Sequence, residues 1–118
     1  MTLSADATFA FGSAELRPAG KIEISQLVRR LDSDKVTAID IVGYTDRIGN
    51  PERNQLLSLR RANSVRAHLV ELGVPASKIS VDGRGAADPV VVCPGSNSRE
   101  LVDCLAPNRR TTVTILSN

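Results

Sequence analysis

The spacing of apolar positions along this 118-residue chain changes period several times, and each change predicts an element. Thr8-Phe9-Ala10-Phe11 alternates, which predicts a strand with both phenylalanines on one face, ended by Gly12 and Ser13. Pro18 then stands near a helix start, and Ile24, Leu27, Val28 and Leu31 follow at i, i+3, i+4 and i+7. That stripe predicts an amphipathic helix of about four turns. Residues 35–44 are rich in β-branched side chains, with Thr37, Ile39 and Ile41 on one side, and predict a buried strand. Asn50-Pro51 supplies an N-cap residue and a proline for the first helical position. The helix it starts should run to Leu72 and stop at Gly73, burying Leu59, Ala62, Val65, Leu69 and Leu72. Residues 78–82 predict a short strand with Ile79 and Val81 on one face, and residues 111–116 a last one with Val113 and Ile115 in the same direction. A polar loop with one helical turn near residues 98–104 lies between them. The order β-α-β-α-β-loop-β predicts an α+β domain spanning residues 1–118, with two long helices packed on one face of a mixed sheet.

Composition removes several function classes. Fifteen basic against 13 acidic residues leave a net charge of +2, too small a bias to imply nucleic acid. One tyrosine, two phenylalanines and no tryptophan leave little to stack on bases. No apolar run approaches the ~20 residues that cross a bilayer as a helix. The start, MTLSADATF, lacks the basic-then-apolar pattern of a signal peptide, so a chain working outside the cytoplasm would be a piece of a longer one. Cys93 and Cys104, with ten residues between them, belong to no CxxC or histidine cluster, which argues against zinc. They are either reduced thiols or a disulfide. The polar interval favours the disulfide, which would contribute about 3 kcal/mol and require an oxidising compartment.

The chemistry concentrates in GYTDRIGN, residues 43–50, where a strand gives way to the long helix. Asn50 already supplies the cap, so Asp46 is not needed for it. Spacing alone favours a turn aspartate that bonds its own backbone. The competing reading is a carboxylate waiting for a ligand at the end of a strand. On the helix, Asn54, Arg61 and His68 fall seven residues apart and line one flank, with Asn54 and Arg61 about 10 Å apart along the axis. A carboxylate, an amide and a guanidinium in a row suit a small zwitterion, with Asp46 taking an ammonium and Arg61 a carboxylate. Arg61 taken by itself reads instead as a boundary residue with its head in water. His68 reads as a surface residue. No nucleophile–base pair is placed by the sequence. Gly83-Arg84-Gly85 reads as a tight turn, since it lacks the third glycine and following helix of a dinucleotide site. Alternation sends Arg109 and Arg110 to opposite faces, so one at most meets a ligand and the other meets solvent or an acidic partner.

GYTDRIGNPERNQLLSLRRANSV, residues 43–65, together with FAFGSAELRPAG, GRGAADP and NRRTTVTI, resembles the OmpA-like C-terminal domain family of peptidoglycan-associated proteins over nearly the whole chain. The resemblance implies a non-catalytic periplasmic module of an outer-membrane protein, with no cofactor or metal. It would hold peptidoglycan by the meso-diaminopimelate of the stem peptide and so tether the membrane to the wall. In that family the aspartate of the Thr-Asp turn and the arginine before the helix alanine make the contact; they fall on Asp46 and Arg61. Asn54 matches a supporting asparagine, Thr45, Arg47 and Ile48 lie on the loop lining the pocket, and one of Arg109 and Arg110 closes it. The resemblance also implies a Cys93–Cys104 disulfide. Departures are Ala10 for a frequent Asp or Asn, Arg53 for an aromatic, and Thr111-Thr112 for a Val-Glu pair. The alternative is a protein-interaction or homodimerisation domain using Arg60 and Arg66 on the long helix.

Overall fold

In the computed structural model, which describes residues 1–32, 34–96 and 98–118, strands β1 (Thr2–Ser4), β2 (Val36–Tyr44), β3 (Ile79–Gly83) and β4 (Arg110–Ser117) form one mixed sheet. Their order across the sheet is β1-β4-β2-β3. β2 and β3 run parallel, while β4 pairs antiparallel with both β1 and β2. The helices are α1 (Ala5–Thr8, a single turn), α2 (Pro18–Arg30), α3 (Pro51–Glu71) and α4 (Arg99–Cys104). Ile24 and Leu27 of α2 and Ala62, Val65 and Leu69 of α3 share one core with Leu3, Ile39, Ile41, Ile79 and Val113 of the sheet. The opposite sheet face carries Asp40, Ser80, Asp82 and Thr114 into solvent. The α+β architecture with two helices over one face of a mixed sheet is the one the periodicity predicts.

The first strand differs. Residues 8–11 are not a strand: Thr8 ends α1, and only Phe9 keeps a β-bridge, to Leu16. Phe9 is 1% exposed and Phe11 is 100% exposed, so the two rings do not share a face. The strand that joins the sheet is Thr2–Ser4, paired with β4, and it buries Leu3 completely. Three residues are too few to show a period. In β2 a register shift between Val36 and Ala38 turns Val36 inward and leaves Thr37 exposed, its hydroxyl donating to the Leu116 carbonyl at 3.1 Å. A bulge of this kind inverts the face that strict alternation assigns.

Helix α3 begins and ends where its caps predict. Asn50 accepts from the Arg53 N–H at 3.0 Å, and the chain leaves through Leu72 and Gly73 at φ +100°. Its buried stripe is shifted from the predicted one: Ser58 and Arg61 are buried, Leu59 is half-buried and Leu72 lies exposed. The cause is how closely α3 approaches the sheet. Gly43 and Gly83 are register partners on β2 and β3 and form a floor without side chains. A Cβ on Gly43 would stand 2.0 Å from the Ser58 carbonyl oxygen, and one on Gly83 would stand 2.5 Å from the Leu59 nitrogen. Only a small residue fits above that floor. Ser58 also uses its hydroxyl, donating to the Gln55 carbonyl at 2.7 Å and accepting from the Gly85 N–H at 3.0 Å.

Cys93 and Cys104 form a disulfide that closes the segment between β3 and β4. α4 sits inside it, with Ser98 accepting from the Leu101 N–H at 3.1 Å. Cys93, Leu101 and Leu105 make a second small core with Ile48 and Val91.

Two substitutions test this packing. Gly43→Ala is expected to destabilise by about 3 kcal/mol through overpacking, whereas Gly73→Ala, with open space around it, costs only about 1 kcal/mol of backbone strain. Thr111 is fully buried, and its hydroxyl has no hydrogen-bond partner among the described residues. Thr111→Val is therefore expected to stabilise by about 1 kcal/mol. Urea unfolding of the three variants beside wild type measures all three.

Candidate functional site

β2 ends at Tyr44, and the chain turns at once over the N-terminus of α3. The Thr45 N–H donates to the Gly85 carbonyl at 2.7 Å and its hydroxyl to the Asp46 carbonyl at 2.9 Å. Asp46 does two jobs. Its Oδ1 accepts from the Ile48 N–H at 3.0 Å, the turn bond that spacing alone favours. Its Oδ2 accepts from Nη1 of Arg109 at 2.7 Å. Asn54 fastens the far side of the turn, donating from Nδ2 to the Ile48 carbonyl at 2.8 Å. Arg47 reaches outward and donates to the carbonyls of Cys93 and Gly95, so the turn and the disulfide loop are clipped together. The Ile48 side chain packs into the small core beside the disulfide.

Arg109 bridges two carboxylates. Besides Asp46 it holds Asp6 at two points, Nε to Oδ1 at 3.1 Å and Nη2 to Oδ2 at 2.9 Å. Its Nη1 donates further to the Val102 carbonyl at 3.0 Å. The hydrogen bonds it donates to the two carboxylates, those to Asp6 foremost, push the Arg109 guanidinium pKa up despite its burial. Arg110 goes elsewhere. Its guanidinium lies 3.8 Å from the centroid of the Tyr44 ring and donates to the carbonyls of Asn108 and Asp88. Among the described residues it has no acidic side-chain partner, and it is Arg109 that takes the acidic partners that alternation assigned to one of the pair. A stacked guanidinium satisfied by carbonyls needs no counter-carboxylate.

Arg61 is 6% exposed, so the boundary reading with its head in water does not hold. Nε donates to the Ser13 carbonyl at 2.9 Å, and the guanidinium carbon stands 5.2 Å from the centroid of the Phe9 ring. Among the described residues neither Nη donates a hydrogen bond, and neither is a sealed, partnerless atom. Burial lowers the guanidinium pKa, the charge of Asp6 raises it, and the charge of Arg109 lowers it again. An arginine stays protonated through such shifts.

Asp46 and Arg61 are thus linked through Arg109 and Asp6, and those four side chains sum to zero charge. Asp6 was invisible to sequence reasoning. It precedes the first periodic segment, and only the docking of β1 on β4 brings it to Arg109. His68, expected at the surface, has a side chain only 12% exposed, with Nδ1 3.4 Å from Glu71. A cavity of about 190 Å³ adjoins Asp46 on the side of the disulfide loop, walled by Thr45, Arg47, Val91, Cys93, Leu105 and Asn108 among others; Arg61 and Asp6 do not line it. Among the described residues no three of His, Cys, Asp and Glu converge as a metal site.

The OmpA family model matches residues 8–102. Outer membrane protein A of Yersinia pseudotuberculosis serotype I is 42% identical over 119 aligned residues, covering 97% of this chain and 34% of that protein. This chain belongs to the OmpA family. Outer membrane protein A of Shimwellia blattae is 40% identical over the same share of the chain and 49% of its own length, so the chain spans half or less of either relative. The peptidoglycan-associated lipoprotein from Burkholderia pseudomallei superposes with a TM-score of 0.74 at 28% identity, covering 93% of this chain and 88% of that one. The cell wall anchor of the T6SS from Pseudomonas aeruginosa superposes at 0.75 and 25% identity over 99% of this chain and 80% of that one. Helicobacter pylori MotB, at 17% identity and a TM-score of 0.77 over 100% of this chain and 81% of that one, shares the OmpA-like fold.

The ion network has a pH signature. Hydrogen bonds from Arg109 hold the Asp6 carboxyl below its usual 3.8, against the opposing effect of burial. A depressed carboxyl pKa stabilises the fold above pH 3.8 and loses that contribution as pH falls through the lower folded value. Asp6→Asn is expected to be less stable than wild type at pH 7 by under about 1 kcal/mol, since the Asp6 side chain is 57% exposed. That gap narrows on acidification from pH 7 to about pH 2.5. Urea unfolding of both proteins at the two pH values measures it.

Proposed function

We propose that this domain is a non-catalytic tether that binds peptidoglycan non-covalently, through the diaminopimelate residue of the stem peptide, on the periplasmic side of an outer membrane. The observation that carries the reading is Arg61. Nε and the Phe9 ring fix its guanidinium, while both Nη groups donate to nothing among the described residues. A preorganised pair of donors in a mostly buried setting suits a carboxylate taken bidentately. The free end of diaminopimelate in a stem peptide carries a carboxylate and an ammonium on one carbon. Asp46 offers the ammonium an acceptor, since a carboxylate has about four lone-pair sites and two are in use here. On this reading Arg109, which holds Asp46, is the arginine at the rim, rather than Arg110.

The relatives support the same direction. One solved structure with this fold is named a peptidoglycan-associated lipoprotein and another a cell wall anchor. A disulfide between β3 and β4 suits an oxidising compartment such as the periplasm. Single-site affinity is modest, and many tethers act together on a polymeric wall. Nothing specific favours the dimerisation reading: Arg66 turns toward the Ala76 carbonyl, and Arg60 is simply exposed.

Titration of meso-diaminopimelate into the domain, followed by NMR, tests the proposal. Shifts are expected around residues 45–61. Asp46→Ala and Arg61→Ala should weaken binding by about tenfold or more, each losing a charged hydrogen bond. Arg61→Lys, which keeps the charge but not the fork, should fall between. Stem peptides with lysine in place of diaminopimelate lack the carboxylate and should bind weakly. Equal binding of the two peptide types would refute the role of Arg61.

A further inference from the structure

We propose that Asp6 sets the charge selectivity of this site: by holding Arg109 at two points it offsets positive charge at the rim, so that a zwitterion is preferred over a dianion of the same length. This inference rests on the reading of Asp46 and Arg61 as the ligand pair.

Three observations lead to it. First, Arg109 presents two of its donors to Asp6 and a third to Asp46, so Asp6 decides how much of that guanidinium is left for an incoming carboxylate. Second, the carboxylate whose charge reaches Arg61 is that of Asp6, which also interacts with Arg17. With Asp6 neutralised, Asp46 alone would stand against Arg17, Arg61 and Arg109. A ligand bearing two carboxylates and no ammonium would then be drawn in by an excess of positive charge, while the attraction for an ammonium would fall. Third, among the described residues the Asp6 carboxylate hydrogen-bonds to Arg109 alone, and its side chain is 57% exposed. The backbone of its turn is held independently, by the Ala5 N–H on the Arg109 carbonyl at 3.0 Å and by buried Ala5 and Thr8. The side chain therefore tunes charge at a position where the fold does not require it. Asp6 and Arg109 both lie outside the span that the family model matches.

The test compares meso-diaminopimelate with pimelate, the seven-carbon dicarboxylate that lacks both amines, on wild type, Asp6→Asn and Asp6→Glu. Affinities come from NMR titration at low and high salt, with thermal melting as the control for folding. Wild type is expected to favour diaminopimelate. Asp6→Asn should reduce the ratio of the two affinities by roughly tenfold, with pimelate binding tighter than to wild type, and high salt should shrink the change. Asp6→Glu should recover most of the wild-type ratio. An Asp6→Asn ratio within about twofold of wild type, or equal loss of both ligands, would assign Asp6 a purely structural role and overturn the proposal, leaving Asp46 and Arg61 untouched. Failure of wild type to bind diaminopimelate would overturn the ligand reading and this inference together.

Discussion

Everything at the candidate site depends on how closely one helix lies on two strands. Gly43 and Gly83, side by side in register, let the α3 backbone descend until Ser58 and Leu59 nearly touch the sheet. Any side chain on that floor would lift the helix. At this depth Ser58 can take the Gly85 N–H, which pins the turn after β3, and Gly85 in turn accepts from Thr45. The turn after β2 is therefore anchored from below by the neighbouring strand's exit and from above by Asn54. Asp46 owes its place to backbone contacts on both sides, and Arg61, one turn beyond Ser58, is buried by the same descent.

A buried guanidinium is costly unless its charge is answered. Here the answer is distributed among a carbonyl at Ser13, the face of Phe9 and the field of Asp6. None of these is a full ion pair. The result is an arginine held firmly at one nitrogen and left with donors at the other two. Arg109 is the opposite case, with Asp6, Asp46 and Val102 all satisfying it. One arginine has two nitrogens that donate to nothing among the described residues, while the other holds two carboxylates. Hydrogen bonds to Asp6 foremost raise the pKa of the second, and burial foremost lowers that of the first. The disulfide segment completes the arrangement by enclosing the turn from the far side, where Arg47 and Ile48 fasten to it.

Periodicity and capping residues determined most of the architecture by themselves. The cap at Asn50, the stop at Gly73, the stripe of α2, the alternation of β3 and β4 and the helical turn before Cys104 are local properties, set by interactions within a few residues. The turn bond of Asp46 and the place of Asn54 beside that turn are local geometry of the same kind, whereas the burial of Arg61 is not, since it follows from how closely α3 lies on the sheet. What tertiary structure alone decided is long-range. Thr2–Ser4 becomes a strand only because β4 offers it an edge, and residues 8–11 lose their strand because no edge is offered to them. Val36 turns inward through a register shift that depends on its partner strand. Arg109 and Arg110 sit next to each other in sequence, yet one meets Asp46 and the other Tyr44, since the ladder fixes where each points. Asp6 joins Arg109 across 103 residues of chain. A charge network of that span leaves no period, cap or motif in the sequence, because the distances that create it exist only after the sheet has closed.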